Sequence, residues 1–308
     1  MLLAAARPAA AQDFSREAAA AAELQLMCAA DAGRLWGESL CGPLLVASPD
    51  TRQAWASQQD QAGVLLRQSQ GGWAGALPAD VPVANSAVDW AGLRWIMVVG
   101  PLPEEPTQRR VLLAGAAWRR IAAAIGLPAS RADASHLDTE RGRTLLRLEM
   151  RALATAMLSR ARARTEAGRD ALAFRMARWN EFPGAAAAEA SLDRYEGLAA
   201  YTGVRLGLPD NPQIFAARTL DQYDRRQALG RTYAAATGPA YGLLLDEIAP
   251  GWRSQLGSHA PADLLVSPLR AALLSGRDLD RAMERYGAAA IAAEERARAS
   301  AQSAPTRQ

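Results

Sequence analysis

The sequence predicts an α+β fold, with an N-terminal helix and antiparallel sheet over residues 14–103 and a predominantly helical domain over residues 104–298. Short runs rich in Trp and β-branched residues, separated by turn signals, occupy the first part. The Pro-rich segment 101–106 then breaks the chain, and after it Ala, Arg and Leu recur with a helical period. A chain of 308 residues that is 50% hydrophobic can form one large domain or two small ones.

One helix and five strands are predicted for the N-terminal part. An Ala- and Glu-rich segment over residues 14–36 indicates the helix, which Gly42-Pro43 ends. Gly- and Pro-containing turns separate the strands that follow. The Trp-rich run over residues 92–99 is predicted to lie in the middle of the sheet. The predicted strands cover residues 44–47, 53–56, 64–67, 73–77 and 86–99.

Helices dominate the prediction for the second part. Thr107 can cap a helix that runs to about Ile125, and Asp138 can cap the next, which runs to about Arg164. The polar residues 299–308 are predicted to be a disordered tail. Further helices are predicted over residues 166–180, 185–205, 217–247 and 277–299.

Both chain ends and the cysteines bear on the compartment. Residues 1–13 are interpreted as a signal remnant or a disordered tail, because Ala9-Ala10-Ala11 fits a cleavage site but the basic start and longer apolar core of a signal are missing. If the chain is exported, Cys28 and Cys41 are expected to pair; the alternative is two buried thiols. The expected location is periplasmic or secreted, with cytoplasmic as the alternative. No apolar stretch approaches the roughly 20 residues that a transmembrane helix needs.

Composition excludes several functions. All 35 basic residues are Arg, so a Schiff-base lysine, a Walker A lysine and a Ser-Lys dyad are impossible. The net charge is only +3, and the arginines are interleaved with acidic residues along the predicted helices. A nucleic-acid partner is therefore not expected.

Two carboxylates are predicted to face inward. At about 100° per residue, Leu145, Leu146 and Leu153 fall on the same helix face as Glu149. Glu196 lies similarly among Leu192, Ala199 and Ala200. A buried carboxylate needs a metal, an Arg or a dense set of donors. The two residues are therefore interpreted either as the wall of a metal cleft or as partners in structural ion pairs with Arg.

Several motifs occur in an order that resembles a known family. Together they resemble those of bacterial exported proteins of the gluzincin (H-E-x-x-H) zinc-metallopeptidase type, and the resemblance covers most of residues 25–255. In that family the Glu of an E-G-L-A-x-Y segment, here Glu196, is the third zinc ligand beside two histidines of one helix. The resemblance implies a zincin-like helical domain. The motifs are Gly126-Leu127-Pro128, Ser135-His136-Leu137-Asp138-Thr139, and residues 148–153, 195–203 and 237–246.

The sequence departs from the family where the chemistry would lie. Gly115 stands where the resemblance puts the first histidine, Ala116 where it puts the general-base glutamate, and Arg119 where it puts the second histidine. Zinc requires neutral or anionic donors, so neither zinc nor another cofactor is expected. We hypothesise that Arg119 points into the cleft and neutralises Glu149 and Glu196.

The remaining candidates have two interpretations each. His136 is either a stray ligand beside Glu149 or a loop residue before Asp138. Tyr201 and Tyr241 either line a substrate cleft, with Tyr241 as an oxyanion donor, or pack in the core. The favoured hypothesis is an inactive peptidase-like protein whose cleft, lined by Trp118 and both tyrosines, binds a peptide or protein. The alternatives are an active hydrolase around His136, Glu149, Glu196 and Tyr241, or a structural protein of the cell envelope.

Overall fold

The computed structural model describes residues 13–208 and 210–303 and confirms the α+β class. Helix α1 (Ser15–Asp31) precedes a six-stranded sheet, and a helical domain follows. The strand order in the sheet is β3-β4-β2-β1-β6-β5. The strands are β1 (Leu44–Ala47), β2 (Gln53–Ala56), β3 (Leu66–Arg67), β4 (Trp73–Ala76), β5 (Ser86–Trp90) and β6 (Leu93–Val99).

The prediction of a purely antiparallel sheet is wrong at one pair. Strands β1 and β6 are parallel, with Leu44 opposite Ile96, whereas the other neighbours are antiparallel. The predicted single strand over residues 86–99 is a hairpin, because Ala91 (φ 47°) and Gly92 (φ 80°) form a two-residue turn of the kind that favours positive φ. Strand β6 consequently lies between β1 and the edge strand β5, one position away from the edge.

Each face of the sheet contributes to a different core. Leu44, Val46 and Ile96 point towards the helices and join the main hydrophobic core. Their neighbours Leu45 and Met97 point the other way, into a smaller core that covers the outer face. This alternation is the period-two pattern of a strand with both faces covered. It places the helical domain on one face of the sheet.

The second part of the chain is helical as predicted, but several predicted helices are divided. The segment 185–205 contains a π-helical turn over Asp193–Gly197, and the segment 217–247 is two helices with a loop between them. The last helix continues to Ser303, so the tail predicted to begin at residue 299 is helical for its first five residues. The helices are α2 (Pro106–Ala122), α3 (Glu140–Leu158), α4 (Ala161–Glu181), α5 (Ala185–Leu192), α6 (Leu198–Gly207), α7 (Pro212–Asp224), α8 (Ala234–Ile248), α9 (Pro261–Leu269), α10 (Gly276–Arg285) and α11 (Ala288–Ser303), with 3₁₀ turns at Ser135–Asp138 and Trp252–Gln255.

A disulfide joins Cys28 and Cys41, as predicted. It ties the last turn of α1 to the segment that leads into β1, so the helix is held against the start of the sheet. The interpretation of residues 1–13 as a signal remnant falls, except for Asp13, outside the described residues. Within the described ranges no helix is long and apolar enough to cross a membrane.

Candidate functional site

Helices α2 and α6 lie against each other along a line of small residues. A Cβ atom placed on Gly115 would lie 3.0 Å from the carbonyl oxygen of Ala199, and one on Gly203 would lie 2.4 Å from that of Val111. The helices approach so closely because these positions carry no side chain. An imidazole at position 115 would therefore push α6 away. Ala116, the next residue, is fully buried.

Arg119, one turn further along α2, binds Glu196. Its Nη2 donates to Oε2 of Glu196 at 2.5 Å, and its guanidinium lies 5.9 Å from the ring centre of Tyr195. The side chains of Arg119 and Glu196 are 15% and 33% exposed. We call these two residues the groove pair. The hypothesis that Arg119 neutralises Glu196 agrees with this geometry.

Arg119 does not neutralise Glu149, and that half of the hypothesis is wrong. Glu149 is fully buried on α3, where Arg175 donates from Nε to Oε1 at 2.9 Å. Arg178 lies 2.7 Å from Oε2, and the Tyr241 hydroxyl donates to Oε1 at 2.8 Å. Two arginines of α4, one turn apart, thus compensate the charge of this carboxylate.

The same two arginines hold two further carboxylates. Arg178 donates to both oxygens of Glu189, at 2.7 and 2.5 Å, and Arg175 donates to Asp193. We call Glu149, Arg175, Arg178, Glu189 and Asp193 the buried cluster, because each is at most 2% exposed. It joins α3, α4, α5 and the π-helical turn.

His136 lies at the rim of the buried cluster. It is in the 3₁₀ turn Ser135–Asp138, as the loop interpretation expects, and its Nε2 is 2.7 Å from Oε1 of Glu189. The interpretation of His136 as a ligand beside Glu149 is wrong, since its partner is Glu189. The ring also packs against Phe182, with 5.7 Å between the ring centres.

Charges in the buried cluster do not balance, because two guanidiniums face three carboxylates. Burial alone would raise the pKa of Glu189, but the Arg178 guanidinium outweighs it and holds that pKa well below its ordinary range. For Asp193 burial prevails over the attraction of Arg175, and its pKa rises to about 6. Asp193 is therefore the carboxyl group of the cluster that takes up a proton as the pH falls towards 6, which removes the excess negative charge.

Trp118, Tyr201 and Tyr241 do not line a groove. All three are at most 1% exposed, and the Tyr201 hydroxyl donates to both oxygens of Asp246 at 2.9 Å. For both tyrosines the core-packing interpretation is correct. The oxyanion role for Tyr241 is excluded in this arrangement, because its hydroxyl is bonded to Glu149 away from solvent.

A groove of about 800 Å³ lies instead between α2, α6, α7 and α8, beside the residue that precedes edge strand β5. Gly115 and Arg119 line it, so two of the predicted cleft residues are at its wall. The lining combines apolar side chains with a polar rim and one exposed cation, Arg218. It includes Asn85, Gln108, Val111, Leu112, Ala199, Ala200, Val204, Phe215, Thr219, Tyr223, Ala235 and Pro239.

Sequence reasoning missed the arginines and two acids of the buried cluster. A usable signal exists, because Arg175 and Arg178 recur on α4 at the spacing of the buried Ala171 and Phe174. Glu189 and Asp193 are likewise four residues apart, as partners on one helix face are. The sequence does not show which arginines pair with the buried carboxylates, because all 35 basic residues are Arg.

Zinc does not fit the position that the family resemblance assigns to it. Gly115 and Ala116 offer no donor atom, Arg119 is a permanent cation, and Glu196 already binds Arg119. Over residues 13–208 and 210–303, no group of three or more His, Cys, Asp or Glu side chains could hold a metal ion.

Comparison with known proteins adds no assignment: the chain matches no family model, no curated protein and no solved structure.

Proposed function

We propose that this chain is a degenerate zinc-metallopeptidase-like protein that binds an extended peptide in the groove without cleaving it. The observation that carries the proposal is the groove pair. Arg119 takes the position of the second histidine in the family resemblance, and it binds Glu196, the counterpart of the third ligand. The guanidinium of Arg119 thus compensates the charge of Glu196, which the resemblance assigns to a metal ion.

The groove has the chemistry of a peptide site. A volume of about 800 Å³ is within the range of ligand clefts, and Leu112, Val204 and Phe215 give it an apolar wall. The edge strand β5 has a strand partner on one side only among the described residues. An extended peptide can add to such an edge through main-chain hydrogen bonds, with alternate side chains in the groove.

The alternative of a rearranged hydrolase has less support. Its four residues do not converge, because His136 binds Glu189, Glu196 binds Arg119, and Glu149 with Tyr241 is sealed in the core. A general base must reach the proton that it removes, directly or through one water. The disulfide supports an oxidising compartment, periplasmic or secreted, for the folded protein.

The test screens the purified protein against an immobilised library of extended peptides, with parallel measurements of zinc content and of peptide hydrolysis. We expect saturable binding that Arg218→Glu weakens, since Arg218 is exposed in the groove wall. Arg277→Glu is the matched control, because it makes the same charge change on an exposed helix position outside the groove. Stoichiometric zinc with chelator-sensitive hydrolysis would overturn the proposal, as would equal binding by both variants.

A further inference from the structure

A second cavity, of about 700 Å³, lies between the last turns of α1, the end of α6 and the end of α8. It shares no lining residue with the groove, so it is a separate site. We call it the arginine pocket, because four arginines line it and only two acidic residues do. The charged residues are Arg34, Arg110, Arg205, Arg253, Asp31 and Asp246.

The two aspartates do not compensate the four guanidiniums. Asp246 is shared by Arg253, at 2.7 Å, and Arg205, at 3.4 Å. Among the described residues Arg34 donates to the carbonyl oxygens of Ala30 and Asp31 and to no carboxylate. In the described part of the chain Arg110 forms no ion pair, and its Nε is buried without a hydrogen-bond partner. The formal count is four positive charges against two negative.

Helix ends remove part of this excess but not all of it. The C-termini of α1, α6 and α8 carry partial negative charge and face the pocket. In each of these ends one carbonyl, that of Cys28, Val204 or Leu245, accepts the backbone N–H four residues later, and Arg34 adds two hydrogen bonds at the end of α1. Arg34 is therefore matched to the end of α1, and Arg205 lies in the last turn of α6. Arg110 lies at no helix C-terminus, and Arg253 shares Asp246 with Arg205.

Arg253 is packed among three aromatic rings in the pocket wall. Its guanidinium lies 4.8 Å from the ring centre of Trp252, 5.3 Å from Tyr201 and 5.8 Å from Trp36. Its Nη2 donates to Tyr201 and Asp246, while Nη1 donates to no described residue. Burial lowers the pKa of Arg253 to about 10, which agrees with a cation whose compensation is incomplete. A cation fixed in this way is preorganised for an anion.

The rest of the pocket wall is apolar. Leu26 is 72% exposed at the rim, and Met27, Leu35, Leu206 and Pro250 continue the surface inward. Ligand pockets commonly combine an apolar lining with a few placed polar or charged groups. The pocket thus offers charge at one point and hydrophobic contact around it.

We propose that the arginine pocket binds a small organic carboxylate with an apolar body, whose carboxylate pairs with Arg253 while its body packs against Leu26 and Leu206. Arg110 and Arg205 supply the remaining positive field. This inference does not depend on the proposed function of the groove, since the two cavities are separate.

The test is calorimetric titration of the full chain with octanoate, acetate and octylammonium. We expect saturable one-to-one binding of octanoate, much weaker binding of acetate, which lacks the apolar body, and no binding of octylammonium, which reverses the charge. Octanoate that does not saturate, or octylammonium that binds as well as octanoate, would exclude the proposal.

Variants then locate the site. Arg253→Gln should weaken octanoate binding at least about tenfold, because a charge-assisted contact is lost. Leu26→Glu should also weaken it, and since Leu26 is exposed this change leaves the fold intact even if Arg253→Gln does not fold. Arg277→Gln, outside the pocket, is the control and should bind octanoate normally. Unchanged affinity in Leu26→Glu and Arg110→Gln would place the ligand elsewhere and overturn the assignment.

Discussion

The groove pair and the buried cluster both pair arginines with carboxylates, yet they differ in access to water. Arg119 and Glu196 form one ion pair that water and ligands can reach. The buried cluster places two arginines and three carboxylates out of contact with solvent. Of the two carboxylates predicted to face inward, Glu149 belongs to the cluster and Glu196 to the groove.

This difference separates the structural role of the buried cluster from the binding role proposed for the groove. Buried ions are stable only while every partner is present, since a lone buried charge is strongly unfavourable. A pair near the surface is screened and contributes little to stability, so its residues can be altered for binding. The comparison therefore predicts large effects on stability in the cluster and small ones in the groove.

Glu149→Gln should have the largest effect. It removes the charged acceptor that lies between Arg175, Arg178 and the Tyr241 hydroxyl, and the Gln amide nitrogen would face these buried donors. We therefore expect a loss of roughly 3–5 kcal/mol in the free energy of unfolding. Urea denaturation measures it. Glu166→Gln, which disrupts an exposed pair with Arg162, is the control and should leave the denaturation midpoint unchanged. A similar midpoint for Glu149→Gln and the wild type would show that the cluster is not needed for stability.

Asp193→Asn should change the pH dependence of stability. Because the pKa of Asp193 in the folded chain is about 6, above its ordinary value of 3.8, the folded state binds a proton more tightly than the unfolded state. Its contribution to stability is complete below about pH 4 and is lost as the pH rises through 6. The stability difference between wild type and Asp193→Asn should therefore change by roughly 2–3 kcal/mol between pH 4 and pH 7.

Chemical denaturation at several pH values tests this expectation. Asp50→Asn, in an exposed turn, provides the control and should follow the wild-type profile. If the free energies of unfolding of the wild type and of Asp193→Asn change in parallel over this pH range, Asp193 is not the group of the cluster that binds the proton.

Tyr241→Phe should have an intermediate effect. It removes the hydroxyl that donates to Oε1 of Glu149 at 2.8 Å, and a hydrogen bond to a buried charge contributes roughly 1.5–2 kcal/mol. Thermal or urea unfolding measures the loss. Tyr223→Phe is the matched control, because in the described part of the chain no hydrogen bond involves the Tyr223 hydroxyl. Equal stabilities of the two variants would contradict a role for Tyr241 in the cluster.

The smallest effect on stability is expected in the groove pair. Arg119→Ala, Glu196→Gln and the double variant form a thermodynamic cycle, and the coupling between the two residues should be below about 1 kcal/mol. Their effect on peptide binding should be larger than their effect on stability. A coupling comparable to the loss in Glu149→Gln would remove the distinction between the two regions.

Local signals were sufficient to predict most of the fold. Strands β1 and β2 have the predicted bounds, and the Pro-rich segment before α2 does separate the sheet from the helices. The parallel pairing of β1 with β6 was not predictable, because strand order depends on contacts between residues about 50 apart in the chain. The hairpin turn at Ala91-Gly92 was missed because Trp and β-branched residues continue on both sides of it.

Prediction of the site was correct only in part. The spacing of apolar residues showed that Glu149 is buried, but not which of 35 arginines would compensate it. Arg119 was found because the family resemblance pointed to its position, whereas Arg175 and Arg178 belong to no motif. The tyrosines were ambiguous because a Tyr in the core and a Tyr in a cleft have the same helical spacing.

The π-helical turn Asp193–Gly197 separates two carboxylates that a regular α-helix would place on one side. In a continuous α-helix, side chains three positions apart share a face, so Asp193 and Glu196 would point to the same side. A π turn contains one extra residue, and here Asp193 binds Arg175 in the core while Glu196 binds Arg119 at the groove. The one extra residue of the π turn thus directs Asp193 into the interior and leaves Glu196 at the groove.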